Sequence, residues 1–116
     1  GNKDATVSTN KRILELGQEN GSVSRSSDYK TGTIVEPCYI GKNVKLENSV
    51  IGPFVSVGDN TIIENSKIKN SIILDSSLIK SANLNNSMIG NHVVYSGNGK
   101  ENKGNSVSIG DYSSLI

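Results

Sequence analysis

The stretch IGKNVKLENSVIGPFVSVGDNTIIENSKI, Ile40 to Ile68, decides the fold. Aliphatic residues return in it at Ile40, Leu46, Ile51, Val57, Ile63 and Ile68, every five or six positions. The rhythm starts at Ile34, continues through Ile73, Ile79, Leu84 and Ile89 to Tyr95, and resumes after a gap at Ile109 and Leu115. Two residues before nearly every member stands a small or β-branched one: Cys38, Val44, Ser49, Val55, Thr61, Ser66, Ser71, Ser77, Ala82, Ser87, Val93, Val107 and Ser113. Neither a helix of 3.6 residues per turn nor one long strand explains this, because each unit carries two inward positions spaced by two and then breaks. Each unit is one very short strand plus a turn. Stacked in successive coils, at three units per coil, such strands pair their backbones and enclose a continuous apolar column.

The turns support this independently. Where the units are six residues long, the residue after the aliphatic is usually Gly, as at Gly41, Gly52, Gly58, Gly90 and Gly110. A longer turn there calls for a positive φ or a close backbone approach, and Gly supplies either without strain. Asn43, Asn48, Asn60, Asn65, Asn70 and Asn86 directly precede the small residue. Asn tolerates the left-handed region and suits a repeated corner.

Composition sets limits in the same direction. The 116 residues make one small domain, 34% hydrophobic and 4% aromatic, so a thick core of large side chains cannot be built, whereas a thin, elongated one can. A net charge of +1 with both signs scattered excludes a basic stripe for nucleic acid and a polybasic membrane patch. No apolar run reaches the roughly 18 to 20 residues that cross a bilayer, and the N-terminus lacks the pattern of a signal peptide, so a cytoplasmic location is expected. Cys38 is the single cysteine, which rules out an internal disulfide and a four-cysteine metal site. The first residue is Gly1, so the chain is expected either to derive from something longer or to have lost its start to processing.

The first third differs. Asp4 to Leu16, DATVSTNKRILEL, predicts a short amphipathic helix with Val7, Lys11 and Leu14 on one face, Ile13 beside it, and Gly17 as the stop. The expected organisation is a helix over 1–17, a linker rich in Ser, Gly and charge over 18–33, and an all-β solenoid over 34–116. The polar, Gly-rich SGNGKENKGNS at 96–106 reads as a loop inserted in it.

The rhythm quoted above resembles the left-handed parallel β-helix of hexapeptide repeats found in many acyltransferases and in C-terminal domains of sugar-1-phosphate nucleotidyltransferases. The mixed five and six spacing, the corners at Asn48 to Ile51, Asn70 to Ile73 and Asn86 to Ile89, and the opening GNKDATVSTNKRILE are similar to the long-form glucose-1-phosphate thymidylyltransferase group. Left-handedness follows from the resemblance alone. The resemblance further implies a parent enzyme that joins a nucleoside triphosphate to a sugar 1-phosphate, releases pyrophosphate and uses magnesium. In that family an Asp-x-Gly element precedes such a helix and its Asp helps hold the metal; Gly1 would match the Gly, leaving the Asp outside this chain. The family's Gly-rich nucleotide loop belongs to an N-terminal catalytic domain, and neither common phosphate-cradling Gly pattern occurs here. The chain is therefore expected to assemble or regulate its parent, with no cofactor and no chemistry of its own. The alternative is an acyltransferase domain acting on an amino sugar or nucleotide sugar.

The catalytic candidate is His92, the single histidine, which in hexapeptide acyltransferases would act as general base. It stands where Asn stands in other units, so a solvated turn residue is the simpler reading. One histidine also excludes the three-histidine zinc site of γ-class carbonic anhydrases. Cys38 takes an inward position as a compact hydrophobe. Asp59, Asp75 and Asp111 read as corner residues of different units rather than as a carboxylate pair. Tyr39, Tyr95 and Tyr112 are candidates for a subunit surface or an end cap, and Tyr29 carries no signal. Outward positions Val50, Ile62, Ile72, Leu78, Met88 and Val94 form an apolar stripe that needs a partner, either the catalytic domain or identical chains. A homo-oligomer is expected, with a trimer suggested by the resemblance.

Overall fold

The structure, a computed structural model, describes residues 3–19, 32–97 and 106–115. Helix α1 (Lys3–Glu19) comes first. The first coil then consists of β1 (Thr33–Ile34), β2 (Cys38–Ile40) and β3 (Lys45–Glu47), and the second of β4 (Val50–Ile51), β5 (Val55–Val57) and β6 (Ile62–Glu64). The third holds β7 (Lys67–Lys69), β8 (Ser71–Ile73) and β9 (Leu78–Lys80), and the fourth β10 (Asn83–Asn85), β11 (Met88–Ile89) and β12 (Val94–Ser96). A further partial coil adds β13 (Ser108–Ile109) and β14 (Ser114–Leu115). All pairings are parallel, and they collect the strands into three faces: β1-β4-β7-β10, β2-β5-β8-β11-β13 and β3-β6-β9-β12-β14. The product is a three-sided parallel β-solenoid of about four turns.

Each strand is too short to hold itself, so its stability comes from burial and from the coils on either side. The aliphatic column is the core. Ile40, Leu46, Ile51, Val57, Ile63, Ile68, Ile73, Ile79, Leu84 and Ile89 all point inward, none more than 1% exposed. Ile34, Tyr95 and Ile109 pack against the same cluster at its margins. Spacing also assigns the corners. The step from the second to the third face is always six residues, as in Ile40 to Leu46 and Ile73 to Ile79, whereas the step from the third face to the first is five, as in Leu46 to Ile51.

The small inward residues do more than fill space. At a corner the strand ladder is interrupted, and a buried N–H there must find another acceptor. Buried hydroxyls provide it: Ser66 N donates to Ser49 Oγ at 3.1 Å, Ala82 N to Ser66 Oγ at 3.1 Å, Ser87 N to Ser71 Oγ at 3.1 Å and Val93 N to Ser77 Oγ at 3.1 Å. Each hydroxyl in turn donates to a carbonyl, for instance Ser66 Oγ to Glu64 O at 2.8 Å and Ser77 Oγ to Gly90 O at 2.7 Å. The six corner asparagines named above all have positive φ, between 48° and 61°.

Helix α1 packs on β5 and β8, across the outside of the second face. Val7 and Leu14 are buried with Asn10 between them, at the i, i+3, i+7 spacing of one helix side. Ser56 Oγ donates to Asn10 Oδ1 at 2.6 Å, and the Lys11 ammonium lies 4.8 Å from the Phe54 ring centroid. At the helix start Lys3 Nζ donates to Asn86 O at 2.7 Å and Asn86 Nδ2 donates to Asp4 Oδ1 at 3.0 Å. The Lys3 contact, then that of Asn86, holds the Asp4 carboxyl below its ordinary pKa. This carboxylate therefore helps the docking above its unfolded-state pKa, and the help fades as pH falls through the lowered value.

Three expectations are corrected. The helix does not stop at Gly17 but continues to Glu19, since a Gly inside a helix weakens it without ending it unless the chain turns left-handed there. Ile13, one residue before Leu14 and so about 100° round the helix from it, is 60% exposed and takes no part in the docked face. The outward apolar residues are not one stripe. Val50 lies on the first face, Ile72 and Met88 on the second, where α1 packs against the strand of Ile72, and Ile62, Leu78 and Val94 on the third. The linker expected over 18–33 and the loop expected over 96–106 lie for the most part outside the described residues, as does Tyr29.

Changing Ile68 to Asp places an unpaired charge in this dry column and should cost roughly 4 kcal/mol or more, most of the stability of a small domain. Urea unfolding followed by circular dichroism checks it, and a midpoint near that of the unaltered chain would contradict an inward Ile68.

Candidate functional site

The chemistry-bearing side chains meet at the corner between the second and third faces. Here successive coils superpose Lys42, Asp59, Asp75, Asn91 and Asp111 in one column, each beside a residue of positive φ, namely Asn43, Asn60, Ser76, His92 and Tyr112. The side-chain oxygens run up the column as acceptors. Lys42 N donates to Asp59 Oδ1 at 2.8 Å, Asp59 N to Asp75 Oδ1 at 2.9 Å, Asp75 N to Asn91 Oδ1 at 2.9 Å and Asn91 N to Asp111 Oδ1 at 2.8 Å. The three aspartates are thus corner residues, as the sequence suggests, but they share one corner.

This column explains the glycines. A Cβ at Gly41, Gly58 or Gly90 would meet the next coil's Asp Oδ1 at 2.3, 2.1 or 2.5 Å. Close approach is the reason for Gly at these three positions, and a left-handed backbone the reason only at Gly52, with φ of 107°. At Leu74 the equivalent bond, Asp75 N to Asn91 Oδ1, forms at 2.9 Å over a residue that does carry a Cβ, so a small shift can make the room.

His92 lies in this column, exposed, with φ of 55°. Its N–H donates to Asp75 O at 3.0 Å, and its ring stacks on Tyr112 with centroids 4.9 Å apart and planes 8° apart. No carboxylate or hydroxyl is hydrogen-bonded to its ring nitrogens among the described residues, so nothing there orients it as a base. Cys38 is fully buried, its Sγ donating to Val35 O at 3.1 Å. Tyr95 points inward, Tyr39 is exposed on the second face and Tyr112 is 76% exposed. Among the described residues no three His, Cys, Asp or Glu side chains gather into a metal-binding group, and no helix is long and apolar enough to cross a membrane.

A shallow groove of about 330 Å³ runs along the first face, lined by Thr33, Asn48, Val50, Asn65 and Lys67 among others. Asn48 Nδ2 donates to Asn65 Oδ1 across it at 2.9 Å. It offers amides, hydroxyls and one ammonium, which can hydrogen-bond a polar group, but no acid–base pair that could move a proton. The sequence does not disclose the groove, because Asn48 and Asn65 read there as corners, Ser49 and Ser66 as inward positions and Val50 as an outward one, spread over successive coils. A spacing of 17 residues between Asn48 and Asn65 is the signal that places them side by side.

No protein-family description, curated protein or solved structure matches the chain. The class defined by fold and site together is that of a parallel β-solenoid carrying a docked helix.

Three substitutions test this corner. Gly58→Ala should destabilise by about 1 to 2 kcal/mol, through the Asp75 carboxylate and backbone it displaces, whereas Gly110→Ala, with nothing within 4 Å, should change stability by less than about 0.5 kcal/mol. Equal midpoints for the two variants in chemical denaturation would refute the close-approach explanation. His92→Asn should leave both fold and stability nearly unchanged; acyl transfer by the chain that vanished in this variant would identify His92 as a base and favour the acyltransferase reading.

Proposed function

We propose that the chain is the C-terminal assembly and regulatory domain of a sugar-1-phosphate nucleotidyltransferase. The parent joins a nucleoside triphosphate to a sugar 1-phosphate with magnesium, and this domain contributes organisation rather than chemistry. The observation that supports it best is the two-sidedness of α1. One side buries Val7 and Leu14 against the solenoid, while Ile13 and Leu16 stand 60% and 44% exposed on the other. A helix with apolar residues left over after docking is suited to bridge two bodies, here the solenoid and a catalytic domain ahead of it. The glucose-1-phosphate thymidylyltransferase-like rhythm and the opening segment supply the choice of parent.

The test is enzymatic. A protein in which this chain continues from its upstream sequence should form a nucleotide sugar and pyrophosphate in the presence of magnesium, and Thr33 to Ile116 alone should form none. Ile13→Asp together with Leu16→Asp should weaken activity or assembly of the whole protein while leaving the solenoid's circular dichroism unchanged. An upstream sequence with no nucleotide-binding domain, or product formed by the isolated chain, would overturn the proposal.

A further inference from the structure

The third face has an order that the other two lack. Its outward residues fall into two columns by strand register: Lys45, Ile62, Leu78, Val94 and Ser114 in one, and Glu47, Glu64, Lys80 and Ser96 in the other. Ile62, Leu78 and Val94 are half-buried by one another, with exposed Lys45, Glu47, Lys80 and Ser96 around them. Neither Glu64 nor Lys80 has an ion-pair partner among the described residues, although they are register neighbours. Glu47 and Glu64 are neighbours as well, and two like charges at strand spacing repel. An apolar column flanked by unsatisfied charges of both signs is suited to a partner that brings the opposite sequence of charges.

We infer that this partner is a second copy of the same chain, bound face to face about a two-fold axis that runs parallel to the strands midway between β6 and β9. Such an axis keeps positions along the strand and reverses the order of coils. It sets Ile62 on the partner's Leu78 and Leu78 on the partner's Ile62. In the other column Glu64 meets the partner's Lys80 and Lys80 meets the partner's Glu64, while Glu47 meets the partner's Ser96. Lys45 lies over the partner's Val94 at the rim, and no like charges face one another. Moving the axis onto β9 would set Lys80 against the partner's Lys80, and moving it onto β6 would set Glu64 against the partner's Glu64, so the charges select the midway position. An isologous contact of this kind closes on itself and does not propagate into fibres.

The face is small. Four strands spaced about 4.8 Å apart, each about 10 Å long, cover far less than the roughly 800 Å² per partner of a standard stable interface, so micromolar rather than nanomolar affinity is expected. The inference rests on the assembly half of the function proposed above and is independent of which reaction the parent performs.

Sedimentation of the chain from about 10 to about 500 µM should show a reversible monomer–dimer equilibrium that salt weakens. Glu64→Lys alone and Lys80→Glu alone should each raise the dimer Kd about tenfold or more, because each sets two like pairs in opposition. An equimolar mixture of the two single variants should restore dimerisation, as should the double variant E64K/K80E, with circular dichroism confirming that all are folded. A trimer, a monomer at the highest concentration, or single variants that dimerise like the unaltered chain would overturn the two-fold contact. Oligomers indifferent to these charges would preserve self-assembly through another surface and remove only this inference.

Discussion

Everything in this fold depends on hydrogen bonds made to the chain 16 or 17 residues away, or 20 in the last, partial coil. A strand of two or three residues has no local partner, so Ile51 must find Ile68, and Ile73 must find Ile89, before either is held. The strands supply this readily. Corners do not, because the backbone turns away from its neighbours while remaining buried. The hydroxyls of Ser49, Ser66, Ser71 and Ser77 inside, and the Asp and Asn oxygens of the Asp59 to Asp111 column outside, carry the ladder around the bends. With them in place the three faces stay in register, and the aliphatic column is enclosed between them.

The inward column was legible because burial imposes a period, and a period can be counted without knowing where a coil begins. The left-handed corners were legible for a similar reason, since Asn is the residue that adopts that region most cheaply after Gly. What could not be counted so directly was the outside. Which face an outward residue occupies depends on the sum of three unit lengths, 17 residues for the first coils and 16 for the later ones, and the apolar positions that look like one stripe fall on three sides. The spacing of 16 that joins Ile62, Leu78 and Val94 was present throughout, but it acquires meaning only once the coil is closed. Gly41, Gly58 and Gly90 are a parallel case. Their cause is the neighbouring coil's carboxylate, and that neighbour is identified only by the same count.

The site was legible in kind and not in place. His92 and the three aspartates are corner residues in the sequence and in the structure, yet nothing linear shows that they share a corner, or that His92 stacks on Tyr112 20 residues later across the inserted segment. The docking of α1 was half legible. The spacing of Val7 and Leu14 shows that one helix side is apolar, but the surface it covers is set by Phe54 and Asn86, two corner residues that face the helix from different coils. Phe54 is instructive because a bulky residue at φ of 65° is disfavoured by about 1 to 2 kcal/mol, and its ring is the one that Lys11 covers. The strain at that corner and the anchoring of the helix belong to the same side chain.

A solenoid of this kind has no room for a site within. Its interior is filled by one aliphatic per strand, and its corner oxygens are committed to the backbone of the adjacent coil, so the Asp59, Asp75 and Asp111 carboxylates serve as acceptors before they can serve as anything else. The flat faces differ in what lies on them. The second face is taken by α1, the first presents a polar groove around Asn48, Asn65 and Lys67, and the third presents apolar side chains between charges of both signs. Each face thus carries its side chains in rows set by the coil spacing. The same regularity that makes the chain fold by counting gives each face a ruled arrangement of side chains, whose order from coil to coil follows from the unit lengths alone.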